Sequence, residues 1–193
     1  MLSVEMTKEM TKHRFTAEEW RRMREVGIFG ESDRVELIRG EIMEMAPIED
    51  SHVGCVVRLI TALSRSARNR PLLVSVQHPL KLGETDEPQP DLALLEHRRS
   101  RRGVPTTGEV ALIVEVASTL LAYDRDVKFP LYAQSGVPEA WLVDLNSSTI
   151  EVHANPDEAT GGYRSVRKYC RGEELRSEVV PNLALDVGGI VGE

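Results

Sequence analysis

The chain has 193 residues, of which 31 are Asp or Glu and 24 are Lys or Arg, so its formal net charge is −7. Its 41% hydrophobic and 28% charged residues are typical of a globular protein and exclude a disordered chain. The longest unbroken apolar run, residues 110–114, is far shorter than the roughly 20 residues of a membrane-spanning helix, so we expect a cytoplasmic protein with no membrane association.

The N-terminal part is predicted to form one short helix followed by a hairpin. Thr16 and Glu19 have the spacing of a capping box, and Gly27 is placed to end the helix that they begin. Short β-compatible runs then flank the pair Arg39-Gly40, which favours a tight turn.

The middle of the chain is predicted to contain a long helix and three strands. Apolar residues recur at helical spacing from Val53 to Leu63, within a helix expected over 51–70. The strands are expected over 72–76, 91–95 and 110–117. The last of these is almost entirely apolar, which is typical of a strand that is covered on both faces.

A second helix is predicted over 123–135, where Gly136 ends it and Pro138 prevents its continuation. Strands over 140–144, 149–153 and 163–169 follow. This order predicts an α/β fold with a mixed central sheet flanked by helices. We expect a loose tail over 1–14 and a single domain over 15–193.

Glu115 is the most informative residue, because it interrupts the apolar strand LIVEVAS at 112–118. A buried carboxylate is costly unless a cation, a hydrogen-bond network or a water-filled cleft compensates it. Taken alone, a structural ion pair explains Glu115 as well as a function does.

Asp91 begins the preceding strand, after Pro90. If the two strands pair antiparallel, the carboxylates of Asp91 and Glu115 come close together and repel each other unless a divalent cation neutralises them. The alternative for Asp91 is an ordinary turn residue.

Lys128 lies four residues after Asp124 and four before Tyr132, so the three share one face of the predicted helix. That face is expected to look back over the two carboxylates. Pro130 is expected to kink this helix or delay its start, because proline lacks the N–H that would bond to Asp126. An Asp–Lys pair at this spacing is more often simple helix support.

Together these residues resemble the PD-(D/E)XK nuclease superfamily and, within it, the Uma2 family of restriction-endonuclease-like proteins. The resemblance extends from about Phe15 to Val187. The matching stretches are ELIRGEIMEMAP (36–47), QPDLALL (89–95), LIVEVAS (112–118), DRDVKFPLYAQSGVPEAWLVD (124–144) and EVHA (151–154).

The resemblance implies a restriction-endonuclease-like core whose metal site uses Asp91 and Glu115. The signature lysine of the superfamily would stand two residues after Glu115, where this chain has Ala117. In the Uma2 family this lysine is expected on the following helix, which assigns its role to Lys128.

The resemblance also implies a further acid from earlier in the chain. We assign it to Glu41 in the hairpin, with Glu36 and Glu44 as alternatives. His52 is a candidate proton handler, although a surface or capping role is commoner for a lone histidine. A basic segment between the two carboxylate strands is expected to contact DNA phosphates. Its arginines are Arg98, Arg99, Arg101 and Arg102.

The sequence therefore predicts a Mg²⁺-dependent DNA endonuclease, with Mn²⁺ as a substitute metal, and a homodimer would suit cleavage of both strands. Two alternatives stay open. One is an inactive nucleic-acid-binding or assembly module of the same fold, and the other is a metal-dependent hydrolase of another phosphodiester.

Overall fold

The computed structural model describes residues 11–30, 33–68, 70–96 and 103–192. The predicted capping box is confirmed at the start of α1 (Ala17–Glu25), where Thr16 and Glu19 bond to each other's backbone N–H groups. The predicted hairpin is confirmed as β1 (Val35–Ile38) and β2 (Glu41–Glu44). Of the expected tail, residues 1–10 lie outside the described residues.

Six strands form a mixed central sheet in the order β3-β4-β5-β6-β7-β8. Only the β5–β6 pair is parallel, and the other four pairs of this sheet are antiparallel. The strands are β3 (Leu72–Val76), β4 (Leu92–Glu96), β5 (Val110–Ala117), β6 (Glu139–Asp144), β7 (Thr149–Asp157) and β8 (Gly162–Cys170). The predicted α/β class with a mixed sheet is confirmed.

Helices cover both faces of this sheet, which explains why its central strand β5 is so apolar. On one face, α2 (Asp50–Ala67) buries Cys55, Leu59 and Leu63 against Val114 and Val116. On the other face, the crossover helix (residues 121–134) packs Phe129 and Tyr132 against Ile113 and Ala117. None of the described helices is long and apolar enough to span a membrane.

The crossover helix contains a π-helical turn in its middle. It consists of α3 (Leu121–Tyr123), a π-helical turn (Asp124–Lys128) and α4 (Phe129–Gln134). The N–H of Phe129 bonds to the carbonyl of Asp124, five residues back. Pro130 removes the next helical bond, and the wider turn accommodates its ring. Of the two alternatives, a kink or a late start, the late start is wrong, since the helix begins two residues earlier than predicted, and the irregularity before Pro130 is the π-helical turn.

The C-terminal segment forms elements that the sequence pattern did not indicate. β9 (Glu174–Arg176) pairs with β10 (Ala184–Asp186), and α5 (Val187–Val191) packs beside α2. The buried carboxylate of Glu139 holds the turn between β9 and β10. Its Oε2 accepts hydrogen bonds from the Ser177 hydroxyl and from the N–H groups of residues 178 and 179, at 2.8–2.9 Å.

Candidate active site

A cleft of about 230 Å³ opens where β4 begins and β5 ends. One wall is the end of β2 and the segment after it, residues 43–49. The other wall is formed by residues 116–120 and Tyr123, where the chain passes from β5 into the crossover helix. Five charged side chains, each no more than 7% exposed, form the floor of the cleft. This floor cluster consists of Glu36, Asp91, Glu115, Asp124 and Lys128.

Asp91 and Glu115 are brought side by side by the antiparallel register of β4 and β5, in which Leu92 pairs with Val114. Glu115 Oε2 accepts the N–H of Asp91 at 3.3 Å, and Asp91 Oδ2 accepts the N–H of Val116 at 2.9 Å. Each carboxylate is thus fixed by the backbone of the neighbouring strand, which gives both side chains a defined orientation.

Lys128 reaches the floor cluster from the π-helical turn. Its Nζ lies 2.6 Å from Glu115 Oε1 and 3.5 Å from Glu36 Oε2. The Tyr132 hydroxyl, one turn further along, donates a hydrogen bond to the same Glu115 oxygen. The predicted shared face of Asp124, Lys128 and Tyr132 is therefore present, since all three side chains are buried at or beside the floor.

His52 lies in the first turn of α2, where its Nε2 is 3.0 Å from Asp91 Oδ2. Its Nδ1 is buried and has no hydrogen-bond partner among the described residues. The amide of Gln77 donates to the other Asp91 oxygen at 3.3 Å. His52 thus belongs to the site and is not a surface residue, and Gln77 joins it from the end of β3, a contact that no sequence pattern indicated.

The structure does not bring Glu41 to the cluster, so that assignment is corrected. Glu41 begins β2 with an exposed side chain 3.6 Å from the Arg14 guanidinium. The early acid in the cluster is Glu36, whose Oε2 also accepts the N–H of Gln89 at 3.1 Å. Glu44 lines the cleft but is exposed. The signal for Glu36 is a lone acid in an otherwise apolar strand, as at Glu115.

The electrostatics of the cluster show an excess of negative charge. Burial raises the pKa of Glu115 to about 8 and that of Asp124 to about 6, although the Lys128 ammonium acts in the opposite direction. Burial also opposes charge on Lys128, but the carboxylates around it, Glu115 first, hold its pKa well above the usual value. One ammonium is therefore shared among four carboxylates.

The pKa of Asp91 is shifted in the opposite direction from the pKa values of Glu115 and Asp124. Burial acts to raise its pKa, but the hydrogen bonds from His52 and from the Val116 N–H bring it below the usual value. Asp91 therefore remains ionised more readily than Glu115 or Asp124, as a cation ligand must.

The donor set fits a Mg²⁺ ion. Among the described residues, no group of three His, Cys, Asp or Glu side chains is arranged to hold a metal. Mg²⁺, however, is usually bound by one or two carboxylates, with waters completing its shell. Asp91 and Glu115 each use about three of roughly four lone-pair sites in the contacts above, which leaves one on each carboxylate. The uncompensated negative charge also favours a cation.

The four arginines predicted to contact nucleic acid, Arg98, Arg99, Arg101 and Arg102, lie outside the described residues. The flanks of their segment are described. β4 ends at Glu96 and β5 begins at Val110, at the end of the strand pair opposite the floor cluster. At about 3.3 Å per residue, that end is roughly 15 Å away. The described flanks of this connection therefore lie away from the carboxylates, because the two strands run antiparallel.

Comparisons with known proteins point to one family. The family model described as "Uma2: Putative restriction endonuclease" matches residues 17–188. Among solved structures, the chain is similar to a protein of Anabaena variabilis ATCC 29413 described as "a putative nuclease belonging to DUF820". The sequences are 16% identical over 92% of this chain and 97% of that chain, with a TM-score of 0.70, a likeness that shows the fold. No curated protein matches the chain.

Proposed function

Since the chain belongs to the Uma2 family, described as "Putative restriction endonuclease", we propose that it is a Mg²⁺-dependent endonuclease that hydrolyses phosphodiester bonds in DNA. The family and the structural neighbour support a nuclease-like function. The observation that carries the proposal is the floor cluster, where carboxylates from two adjacent strands meet one lysine at the bottom of an open cleft.

Asp91 and Glu115 are the residues that would hold the metal ion. A bound Mg²⁺ supplies an acidified water and polarises the scissile phosphate, and Mn²⁺ is expected to substitute for it. The backbone contacts of both carboxylates keep them in place before the metal arrives. Less reorganisation is then needed when the ion binds.

Lys128 offsets the negative charge that accumulates on the phosphate in the transition state. Its ammonium is held beside Glu115 by the π-helical turn, and the Tyr132 hydroxyl fixes the Glu115 oxygen that it contacts. His52 steadies Asp91 through Nε2 and has Nδ1 left to hold or release a proton. Glu36 keeps the ammonium between two carboxylates and is a positioning residue.

The test is incubation of purified protein with plasmid and with single-stranded DNA in Mg²⁺, in Mn²⁺ and in EDTA. Cleavage should require a metal and should be lost in Glu115→Gln, which keeps the side-chain shape but weakens metal binding. Glu41→Gln is the matched control, because this exposed carboxylate lies outside the cluster, and it should cleave like the wild type.

Three results would contradict the proposal. Cleavage that persists in Glu115→Gln would show that the activity does not come from this site. DNA binding without cleavage in either metal would favour the inactive nucleic-acid-binding module, and cleavage of only another phosphodiester would favour the other hydrolase.

A further inference from the structure

The two carboxylate oxygens of Asp91 differ in their hydrogen bonds. Oδ2 lies 3.0 Å from His52 Nε2 and accepts the N–H of Val116 at 2.9 Å. Oδ1 has one contact among the described residues, the amide of Gln77, which donates to it at 3.3 Å. Because a carboxylate oxygen has two lone pairs, the lone pair that stays open on Asp91 belongs to Oδ1. Oδ1 is therefore the oxygen that Asp91 can offer to a metal ion.

Glu115 shows the same inequality. Its Oε1 lies 2.6 Å from Lys128 Nζ and accepts the hydroxyl of Tyr132. Within the part of the chain that the structure describes, its Oε2 accepts only the N–H of Asp91, at 3.3 Å. The single donor to this open oxygen is a backbone group, which strand pairing fixes. The single donor to the open oxygen of Asp91 is a side chain, that of Gln77, and a substitution can remove it.

Gln77 stands directly opposite Asp91 in the central sheet. β3 and β4 pair with Val76 opposite Leu92. The pairing continues by one residue, since the N–H of Gln77 donates to the carbonyl of Asp91 at 3.1 Å. Residues directly opposite each other in an antiparallel pair have side chains on the same face of the sheet. Gln77 therefore bonds to Asp91 twice, through its backbone to the carbonyl and through its amide to the carboxylate.

The backbone conformation of Gln77 is unfavourable for a residue with a side chain. Its φ is 48°, in the left-handed region that costs energy for most residues other than glycine. Glycine would adopt this conformation freely, but it would offer no amide to Asp91. A residue kept in such a conformation beside a cluster of charged side chains is typical of a functional position.

We propose that Gln77 is a positioning residue of the metal site, whose amide directs Oδ1 of Asp91 and so raises the affinity of the site for a divalent cation. Hydrogen-bonding partners that orient metal ligands typically contribute about 10–100-fold to metal affinity or activity. This inference rests on the proposed function, because it places the cation at Asp91 and Glu115. It concerns the binding of the cation and not the chemical step.

The experiment measures the Tm of the full chain against Mg²⁺ concentration at constant ionic strength, which gives the Kd of the ion. Gln77→Met keeps the length of the side chain but removes the donor, and we expect it to raise the Kd about tenfold. Gln134→Met is the matched control, because this glutamine is exposed at the end of α4 and does not line the cleft. Its Kd should equal that of the wild type.

Gln77→Gly separates the proposed role in metal binding from a role in stability alone. Glycine adopts a positive φ without strain, so in EDTA this variant should melt at a higher temperature than Gln77→Met. Its Kd for Mg²⁺ should nevertheless rise as much as in Gln77→Met, because both variants lack the amide. At saturating Mg²⁺, single-turnover cleavage by both variants should approach the wild-type rate.

A wild-type Kd in both Gln77 variants would overturn the inference. A rise in Gln77→Met that is absent from Gln77→Gly, or that is equalled in Gln134→Met, would also overturn it. Cleavage that stays slow at saturating Mg²⁺ would place Gln77 in the chemical step and refute the positioning role.

The cleavage assay also separates this inference from the proposed function. If the Kd for Mg²⁺ responds to Gln77 as expected but no DNA is cut, the inference holds and the proposed endonuclease is refuted. If Mg²⁺ does not raise the Tm of the wild type at all, the metal site is refuted and the inference with it.

Discussion

Glu115 accepts hydrogen bonds from Lys128, from Tyr132 and from the backbone of Asp91, and yet burial raises its pKa to about 8. Burial is the main cause, and the neighbouring charges of Asp124 and Asp91 act in the same direction, so that together they outweigh what the single lysine can offset. A second positive charge, from a proton or a metal ion, therefore has a place in this cluster. Two consequences at the residue scale can be measured.

The first prediction concerns pH in the absence of metal. Because Glu115 has a pKa of about 8 in the folded protein against a usual 4.5, the folded state holds more protons than the unfolded state between these values. The contribution of Glu115 to the free energy of unfolding is therefore largest at low pH and is lost as the pH rises from about 4.5 through 8. Relative to Glu115→Gln, the wild type should become progressively less stable over that range.

Thermal melts in EDTA at a series of pH values would measure this difference. Glu41→Gln serves as the control, and its Tm should follow the wild type throughout. Parallel curves for wild type and Glu115→Gln would show that Glu115 titrates as an ordinary exposed carboxyl group.

The second prediction is that Lys128→Met destabilises the metal-free protein by about 3–5 kcal/mol, because it leaves buried carboxylates without their cation. Mg²⁺ should restore part of this loss, and its affinity should be unchanged or higher, since the ammonium no longer repels it. Turnover should fall by about 10²–10³-fold, as when one transition-state donor is removed. Urea unfolding with and without Mg²⁺ and single-turnover cleavage are the measurements.

Ala117→Lys in the Lys128→Met background separates catalysis from packing. Ala117 is two residues after Glu115 and faces the same side of β5, where it contacts the core beneath the crossover helix. A lysine placed there should recover some cleavage. Wild-type turnover in Lys128→Met itself would refute the role of Lys128 and reduce the catalytic set to the two carboxylates.

A residue of the cluster could be predicted from sequence only where the periodicity of its own strand or helix determines which way its side chain points. Asp91, Glu115 and Lys128 follow from the pairing of two strands and from helical spacing. The alternation of a short hairpin does not show which face will be covered, so it does not separate Glu36 from Glu41, and only the apolar neighbours of Glu36 in β1 distinguish the two. The covering comes from Gln89 and Lys128, which are far away in the sequence.

At the element scale, Glu139 connects the central sheet to the C-terminal segment. Its two oxygens accept four hydrogen bonds, from Trp141, Ser177 and two backbone N–H groups. The held segment carries Val180, Leu183 and Leu185 into the core on the α2 side of the sheet. This one carboxylate therefore fixes how about the last 15 residues pack.

The third prediction follows from that connection. Glu139→Ala leaves several donors unsatisfied, and a buried unsatisfied donor costs about 1–3 kcal/mol. We therefore expect a loss of at least about 2 kcal/mol in urea unfolding, together with new protease cleavage between residues 177 and 192. Glu174→Ala, which removes an exposed carboxylate of β9, should change stability by less than about 0.5 kcal/mol. Equal effects of the two substitutions would contradict the role of Glu139.

The helices and strands of the central sheet could be predicted because each has a strong periodic pattern or an unbroken apolar run. The π-helical turn could not, since Pro130 predicts only that the regular hydrogen bonds fail and not how the chain replaces them. The C-terminal elements are short, and tertiary contacts such as those of Glu139 decide their conformation. Local propensity carries little information in such segments.

At the scale of the whole molecule, the proposed metal ion should stabilise the protein against unfolding, because it binds the folded state and not the unfolded chain. The fourth prediction is that Mg²⁺ raises the stability of the wild type by about 2.7 kcal/mol at a concentration of 100 times its Kd. Glu115→Gln should show little of this gain. Thermal melts at constant ionic strength test it, and an equal gain in both proteins would place the ion elsewhere.

Because β4 and β5 are antiparallel, the chain leaves β4 and enters β5 at the end of the pair that is far from the cleft. This end is therefore suitable for an engineered insertion. Gly103, on the connection, is exposed, and an added Cβ there would meet no atom within 4 Å. A reporter domain could therefore be inserted at this point while Asp91 and Glu115 keep their hydrogen bonds to the backbone of the neighbouring strand. The result would be a tagged protein whose label and candidate active site lie at opposite ends of the same two strands.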